Sequence, residues 1–132
     1  MIAAFQNPAS LCPTFGWTHV VSVSGGKTVY ISGQVGIDKN GEVVGKGDMQ
    51  RQTEQAFENV RLALEAAGAT FENVVKTNLY VVGLRNEHVP IIREVRSRFI
   101  SAEQPPASTL VGVSALVGTD WLIEIEAVAV RP

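Results

Sequence analysis

Between Asp48 and Ala67 the apolar residues Met49, Ala56, Phe57, Val60, Ala63, Leu64 and Ala67 recur at steps of three and four, whereas the stretches on either side alternate. A helical period flanked by strand periods restricts the chain to folds that lay helices on a sheet. The helix signal has both its ends. Asp48 can accept a hydrogen bond from the first turn, and Gly68 stands where a left-handed residue is wanted after the last one.

Before this helix, Val20–Ser24 and Thr28–Val35 alternate around Gly25-Gly26, which predicts a β-hairpin. Asp38-Lys39-Asn40-Gly41 is a further turn signal. After it, the run 73–82 is rich in β-branched residues and reads as a strand. Residues 86–100 predict a second helix, with Pro90 in its first turn, where a missing N–H is tolerated, and Ile92, Val95 and Phe99 facing inward. Gln104-Pro105-Pro106 stops it. Strands over 108–116 and 121–130 follow, with Gly118-Thr119-Asp120 as the turn between them.

The expected order is thus β-β-α-β-α-β-β, an α+β domain with two helices on one face of a mixed sheet. Its 132 residues suit one domain, 1–132. No third helix is available for the other sheet face, so a partner subunit is the economical cover. Charged residues form only 18% of the chain, below the usual quarter, which agrees with some apolar surface meeting another subunit.

Charge narrows the partners. A net charge of −2, with 11 Lys and Arg spread among 13 acids, provides no basic face for a phosphate backbone, so no nucleic-acid partner is expected. The densest basic stretch, Arg93, Arg96 and Arg98, reads as the solvated side of the second helix. No apolar run is long enough for a membrane helix, and residues 1–10 lack the pattern of a signal peptide, so a cytoplasmic location is expected. Cys12 is the single cysteine. It has no base beside it in sequence and reads as an inert or surface thiol.

Candidate chemistry is sparse. Glu124 and Glu126 sit two apart in the last strand, which places both carboxylates on one face about 7 Å apart. Such a pair can do acid–base work or flank a water, or can simply line a solvated or interfacial face. Two glutamates in an otherwise apolar strand still need a reason. His19 and His88 stand on different elements, as a strand-edge residue and a helix-start residue, and read as structural; no metal site is expected. There is no nucleophile elbow, and Ser32-Gly33-Gln34 is not followed by the lysine-bearing helix start of a phosphate loop.

Three segments, in order and at matching spacing, make the chain resemble the Rid family. They are Val29-Tyr30-Ile31-Ser32-Gly33-Gln34; Gln55–Val60 through Leu64–Gly68 with Val74-Val75-Lys76-Thr77; and Pro106-Ala107-Ser108 leading to Ile123–Ala129. The likeness spans about 15–131. It implies a chorismate-mutase-like fold and a homotrimer whose sheets face inward, with small-molecule clefts between subunits. It also implies cofactor-independent hydrolysis of reactive enamines and imines to ketoacids and ammonia. By the family pattern Glu124 helps position the attacking water, Ser32 and Gly33 belong to the loop that shapes the pocket, and Trp17 stands where many relatives carry a tyrosine.

One departure bears on substrate choice. The family's carboxylate-gripping arginine follows Pro-Ala, and Ser108 occupies that position; the cysteine often found two residues later is Leu110. No arginine or lysine lies between Pro105 and Leu122. A charge-assisted clamp is worth roughly 1.5–3 kcal/mol. Ser108 and Thr109 offer hydroxyls to a ligand instead. The reading is an imine or enamine hydrolase with altered substrate choice. The alternative is a non-catalytic, ligand-binding or regulatory trimer, and the endoribonuclease activity attributed to some members ranks third because the chain lacks a basic patch.

Overall fold

The computed structural model describes all residues from Met1 to Pro132. Its strands are β1 (Ile2–Gln6), β2 (Val20–Ser24), β3 (Lys27–Val35), β4 (Val74–Val82), β5 (Ala107–Val113) and β6 (Ile123–Arg131). Its helices are α1 (Met49–Ala66) and α2 (His88–Ser97), and a short 3-10 turn, Phe71–Asn73, leads into β4. The four long strands form one mixed sheet in the order β3-β6-β4-β5, in which only the β4–β5 pair is parallel. Both helices pack on one face of it, as the periodicities require.

Two connections differ from the sequence reading. The hairpin expected across Gly25-Gly26 does not form. β2 pairs instead with β1, with Ile2 opposite Ser24 and Gln6 opposite Val20, in a separate two-stranded ribbon. Both glycines do hold positive φ, +75° and +81°, so the backbone bends where expected. The bend passes the chain from one sheet to the other. The second difference is at 118–120, which does not join two neighbouring strands. β5 lies at the sheet edge beside β4, and the chain crosses β4 before β6 inserts between β3 and β4.

The α1 ends follow the sequence. The Asp48 side chain accepts from the Arg51 N–H at 3.1 Å, and Gly68 has φ +70°. The core is one cluster of 17 buried residues between helices and sheet, including Phe57, Val60 and Leu64 of α1, Ile92 and Val95 of α2, and Leu79, Val81, Ile123 and Ile125 of the sheet. Phe57 stacks on Phe99 with centroids 5.3 Å apart and leans on Phe71 at 6.2 Å, tying α1 to the segment after α2.

Four polar residues, Thr18, Gln52, Thr53 and Thr77, are buried as well, and one of them ties two loops to the core. Gln52 is fully buried, and its amide nitrogen donates to the carbonyls of Gly45 and Asp120 while its oxygen accepts from the Leu122 N–H. The bonds to Asp120 and Leu122 anchor the loop that crosses to β6 onto α1, and the bond to Gly45 holds the segment that leads into α1. No helix is long and apolar enough to cross a membrane.

The helix-free face of the sheet is open. Tyr30 is 80% exposed there and Val111 39%. Lys76, Asn78, Tyr80, Glu126 and Val128 share that face by strand alternation.

Candidate functional site

Glu124 and Glu126 do lie on one face of β6, but their surroundings differ. Asn78 stands directly opposite Glu126 on β4, and its Nδ2 donates to Glu126 Oε1 at 2.9 Å. Tyr80 stands opposite Glu124 in the register, yet its hydroxyl reaches diagonally and donates to Glu126 Oε1 at 2.5 Å. These bonds favour the charged carboxylate. The Glu126 carboxyl is therefore held below its ordinary value by Tyr80 first and Asn78 second, against a smaller opposing effect of burial. The same bond pushes the Tyr80 phenol up, with partial burial and the charges of Glu126 and Glu124 adding to it.

Glu124 has no such partners. No side chain or backbone N–H of the chain donates to it, and it joins no ion pair. Its half-buried carboxylate lies over Gly33. A β-carbon at position 33 would overlap Glu124 Oε2 and come within 2.7 Å of Cδ and 2.8 Å of Cγ. The cause is local. Ile31 pairs with Ala127 and Gln34 with Ile125, so β3 uses one residue more than β6 over this interval, a bulge at Ser32-Gly33. The bulge turns the Ser32-Gly33 backbone towards β6 opposite the glutamates. Ser32 is exposed, and it lines a shallow depression of about 270 Å³ with Tyr30, Lys76, Asn78 and Glu126.

The remaining candidate residues lie elsewhere in the chain. Ser108 and Thr109 occupy β5, two strands from β6, or about 10 Å at normal strand spacing. They point to opposite faces. Ser108 Oγ accepts from the buried Thr77 hydroxyl at 3.0 Å, whereas Thr109 Oγ1 accepts from Lys76 Nζ at 2.9 Å on the open face. Trp17 sits in the loop before β2, where Thr18 bonds Pro106 O through its N–H at 3.1 Å and Pro105 O through its hydroxyl. The six residues thus fall into two groups within one chain: Ser32, Gly33 and Glu124 on β3 and β6, and Trp17, Ser108 and Thr109 around β5.

The sequence reading missed two features. Asn78 and Tyr80 decide which glutamate is engaged, and they lie more than 40 positions from it; only the β4 alternation hinted at their face. Cys12, without a base nearby in sequence, is brought 4.0 Å from His19 Nε2. That nitrogen also lies 2.7 Å from the Cys12 carbonyl, which can only accept, so Nε2 carries the proton and does not take one from the thiol. His88 serves the chain locally, its Nδ1 accepting from the Arg85 N–H at 3.0 Å.

Similarity to known proteins runs along the whole chain. The model of the family described as Endoribonuclease L-PSP matches residues 8–131. A RutC family protein of Pyrococcus horikoshii is 39% identical over 83% of this chain and 84% of its own. The 2-iminobutanoate/2-iminopropanoate deaminase of Dermatophagoides farinae is 34% identical over 95% of this chain and 93% of its own. Among solved structures, the Rid-family protein YyfB of Yersinia pestis superposes with a TM-score of 0.90 at 36% identity, covering 99% of this chain and 100% of that one. With sequence relatives and fold in agreement over nearly every residue, this chain belongs to the Rid family, the group whose sequence model carries the endoribonuclease L-PSP description.

Proposed function

We propose that the chain hydrolyses small reactive imines or enamines to the carbonyl compound and ammonia, with Glu124 holding the attacking water. One observation carries this reading: of two carboxylates on one strand face, Glu126 is taken up by Asn78 and Tyr80, and Glu124 is left free over a glycine. A free carboxylate at that place can accept a proton from water as the water adds to the C=N carbon. Glu124 then returns that proton to the carbinolamine nitrogen, and the amino group leaves as ammonia while the hydroxyl loses its proton and becomes the carbonyl. Relatives named 2-iminobutanoate/2-iminopropanoate deaminase support the reaction class.

The reading includes a homotrimer. The open sheet face, with Tyr30 and Val111 exposed, supports it, as does the division of the site residues into two groups that a neighbouring subunit could complete. Ser108 in place of the arginine that follows Pro-Ala in relatives alters the preference among imines through a different carboxylate contact, without excluding 2-iminopropanoate. Ser108 carries no charge, and its hydroxyl already accepts from Thr77.

The test is the decay of freshly generated 2-iminopropanoate with no protein, with wild type and with Ser108→Arg. Acceleration by wild type is the expected result. Acceleration by Ser108→Arg alone would mean that the hydrolytic scaffold has moved to other imines. No acceleration by either would favour the second reading, a ligand-binding or regulatory trimer, which the absent β5 arginine supports.

A further inference from the structure

The charged residues of α2 are unevenly satisfied. Arg98 at its C-terminal end is bound by Glu94 and Glu54, and Arg85 before its start by Glu87. Arg93 and Arg96 take part in no ion pair, and neither guanidinium donates a hydrogen bond to any group of the chain. They are three apart and therefore share a helix face, where like charges repel. Arg96 is half-buried, and burial first, then the charge of Arg93, pushes its guanidinium pKa down. A partly desolvated guanidinium with a second cation beside it and no acceptor is an unfavourable arrangement unless an anion completes it.

The loop before β2 is shaped around these arginines. Gly16 has φ +79°, and a β-carbon there would overlap Arg96 Nη2 and lie 3.3 Å from Cζ, so the guanidinium rests against bare backbone. Arg93 Cζ lies 5.3 Å from the centre of the Phe15 ring. Trp17 packs edge-on against His19 at 4.6 Å. The next residue, Thr18, is tied to Pro105 and Pro106, two positions before Ser108. Arg96, Trp17 and the start of β5 therefore meet at one corner of the molecule.

We propose that Arg96, assisted by Arg93 and framed by the Phe15–Trp17 loop, is a binding site for the carboxylate of a small 2-oxo or 2-imino acid. The flat guanidinium fork matches a carboxylate through two parallel N–H···O bonds, and the exposed Phe15 ring beside Arg93 offers an apolar face to a small planar acid. Two arginines at one corner of an acidic chain form no stripe for a nucleic-acid backbone. Carboxylate recognition is thereby moved from β5, where Ser108 stands, to α2. As an account of substrate choice this rests on the deaminase reading; as an anion site it does not.

The experiment is calorimetric titration of the intact protein with 2-oxobutanoate, with 2-oxobutanamide and phosphate as comparison probes. Wild type, Arg96→Gln, Arg96→Lys, Arg93→Gln and the control Arg85→Gln are titrated, and circular dichroism melting verifies that each variant is folded. Saturable binding of 2-oxobutanoate is expected, weakened at least about ten-fold in Arg96→Gln, less in Arg96→Lys and Arg93→Gln, and unchanged in Arg85→Gln. The amide should bind at least about ten-fold more weakly than the acid.

Wild type that does not bind the acid, prefers phosphate, or binds equally after Arg96→Gln overturns the site. The two readings fail separately. Carboxylate binding through Arg96 without acceleration of imine decay keeps the anion site and removes the deaminase. Imine hydrolysis with the same KM in Arg96→Gln does the reverse.

Discussion

Tyr80 faces Glu124 across the β4–β6 pair but gives its hydroxyl to Glu126, one pleat along the strand. The consequence is a division between two carboxylates that sequence alone makes equivalent. One is a hydrogen-bonded element of the sheet face; the other is unattached. The proposed reaction uses the unattached one, because a carboxylate whose charge is already satisfied by two donors is a weaker acceptor for a water proton.

This arrangement predicts how Glu126 titrates. Its carboxyl is depressed from the ordinary 4.5, so its favourable contribution is present above that value and is lost as pH falls through the folded value. Tyr80→Phe removes the leading cause and should raise the Glu126 carboxyl towards 4.5, read by carbon-13 NMR titration of the side chain. In urea unfolding, wild type should exceed Glu126→Gln in stability above about pH 5, and the difference should shrink as pH falls below it. A difference that does not depend on pH would mean the Tyr80 bond is absent in solution.

Gly33→Ala isolates the bulge. Gly33 is not among the glycines with positive φ, so its φ does not oppose alanine, and the three atoms nearest the added methyl all belong to the Glu124 side chain. The variant should melt close to wild type while kcat for imine decay falls by roughly ten- to a hundred-fold, as expected for a reacting group displaced by about 1 Å. Full activity in Gly33→Ala would mean that the position of Glu124 over the glycine has no bearing on the chemistry.

Gln52→Ala should be among the costliest polar substitutions. It removes a fully buried side chain and takes the only hydrogen bonds from the Asp120 carbonyl and the Leu122 N–H, while the Gly45 carbonyl keeps just its bond from the Asp48 N–H. A loss of about 2–4 kcal/mol is expected by urea denaturation. A loss under 1 kcal/mol would show that the crossing loop is held by other contacts.

The proposed homotrimer makes a hydrodynamic prediction. Sedimentation equilibrium of wild type should give three times the 14.2 kDa chain, and Tyr30→Asp, which places a charge on the open sheet face, should shift the protein towards monomer. Monomeric wild type would remove the inter-subunit cleft and, with it, the completion of the site by a neighbour.

Local signals in the sequence were reliable where the deciding interactions are local. The α1 period, the Asp48 cap and Gly68 fix that helix with contacts no more than a few residues long. Pro90 falls within the first turn of α2 for the same reason. Strand partners are settled over longer distances, and there the sequence misled. Gly25-Gly26 supplies the bend of a hairpin, but Val20–Ser24 finds its partner in Ile2–Gln6, a segment without a clear alternating pattern. Gly118-Thr119-Asp120 likewise marks a bend without saying that the chain then crosses β4. The shared face of Glu124 and Glu126 was legible from strand alternation. Their inequivalence was not, because it depends on Asn78 and Tyr80. Nor was the unpaired state of Arg93 and Arg96, since one of the acids that could have met them is drawn to Arg98 from another position on α2.

The decisive measurement compares two single substitutions two residues apart: the rate of 2-iminopropanoate decay with Glu124→Gln and with Glu126→Gln, each against wild type. The account predicts a fall of at least about a hundred-fold for Glu124→Gln, the scale of a lost general base, and a change within about three-fold for Glu126→Gln. Equal losses, or a larger loss for Glu126→Gln, would contradict the assignment of the free carboxylate as the one that holds the attacking water.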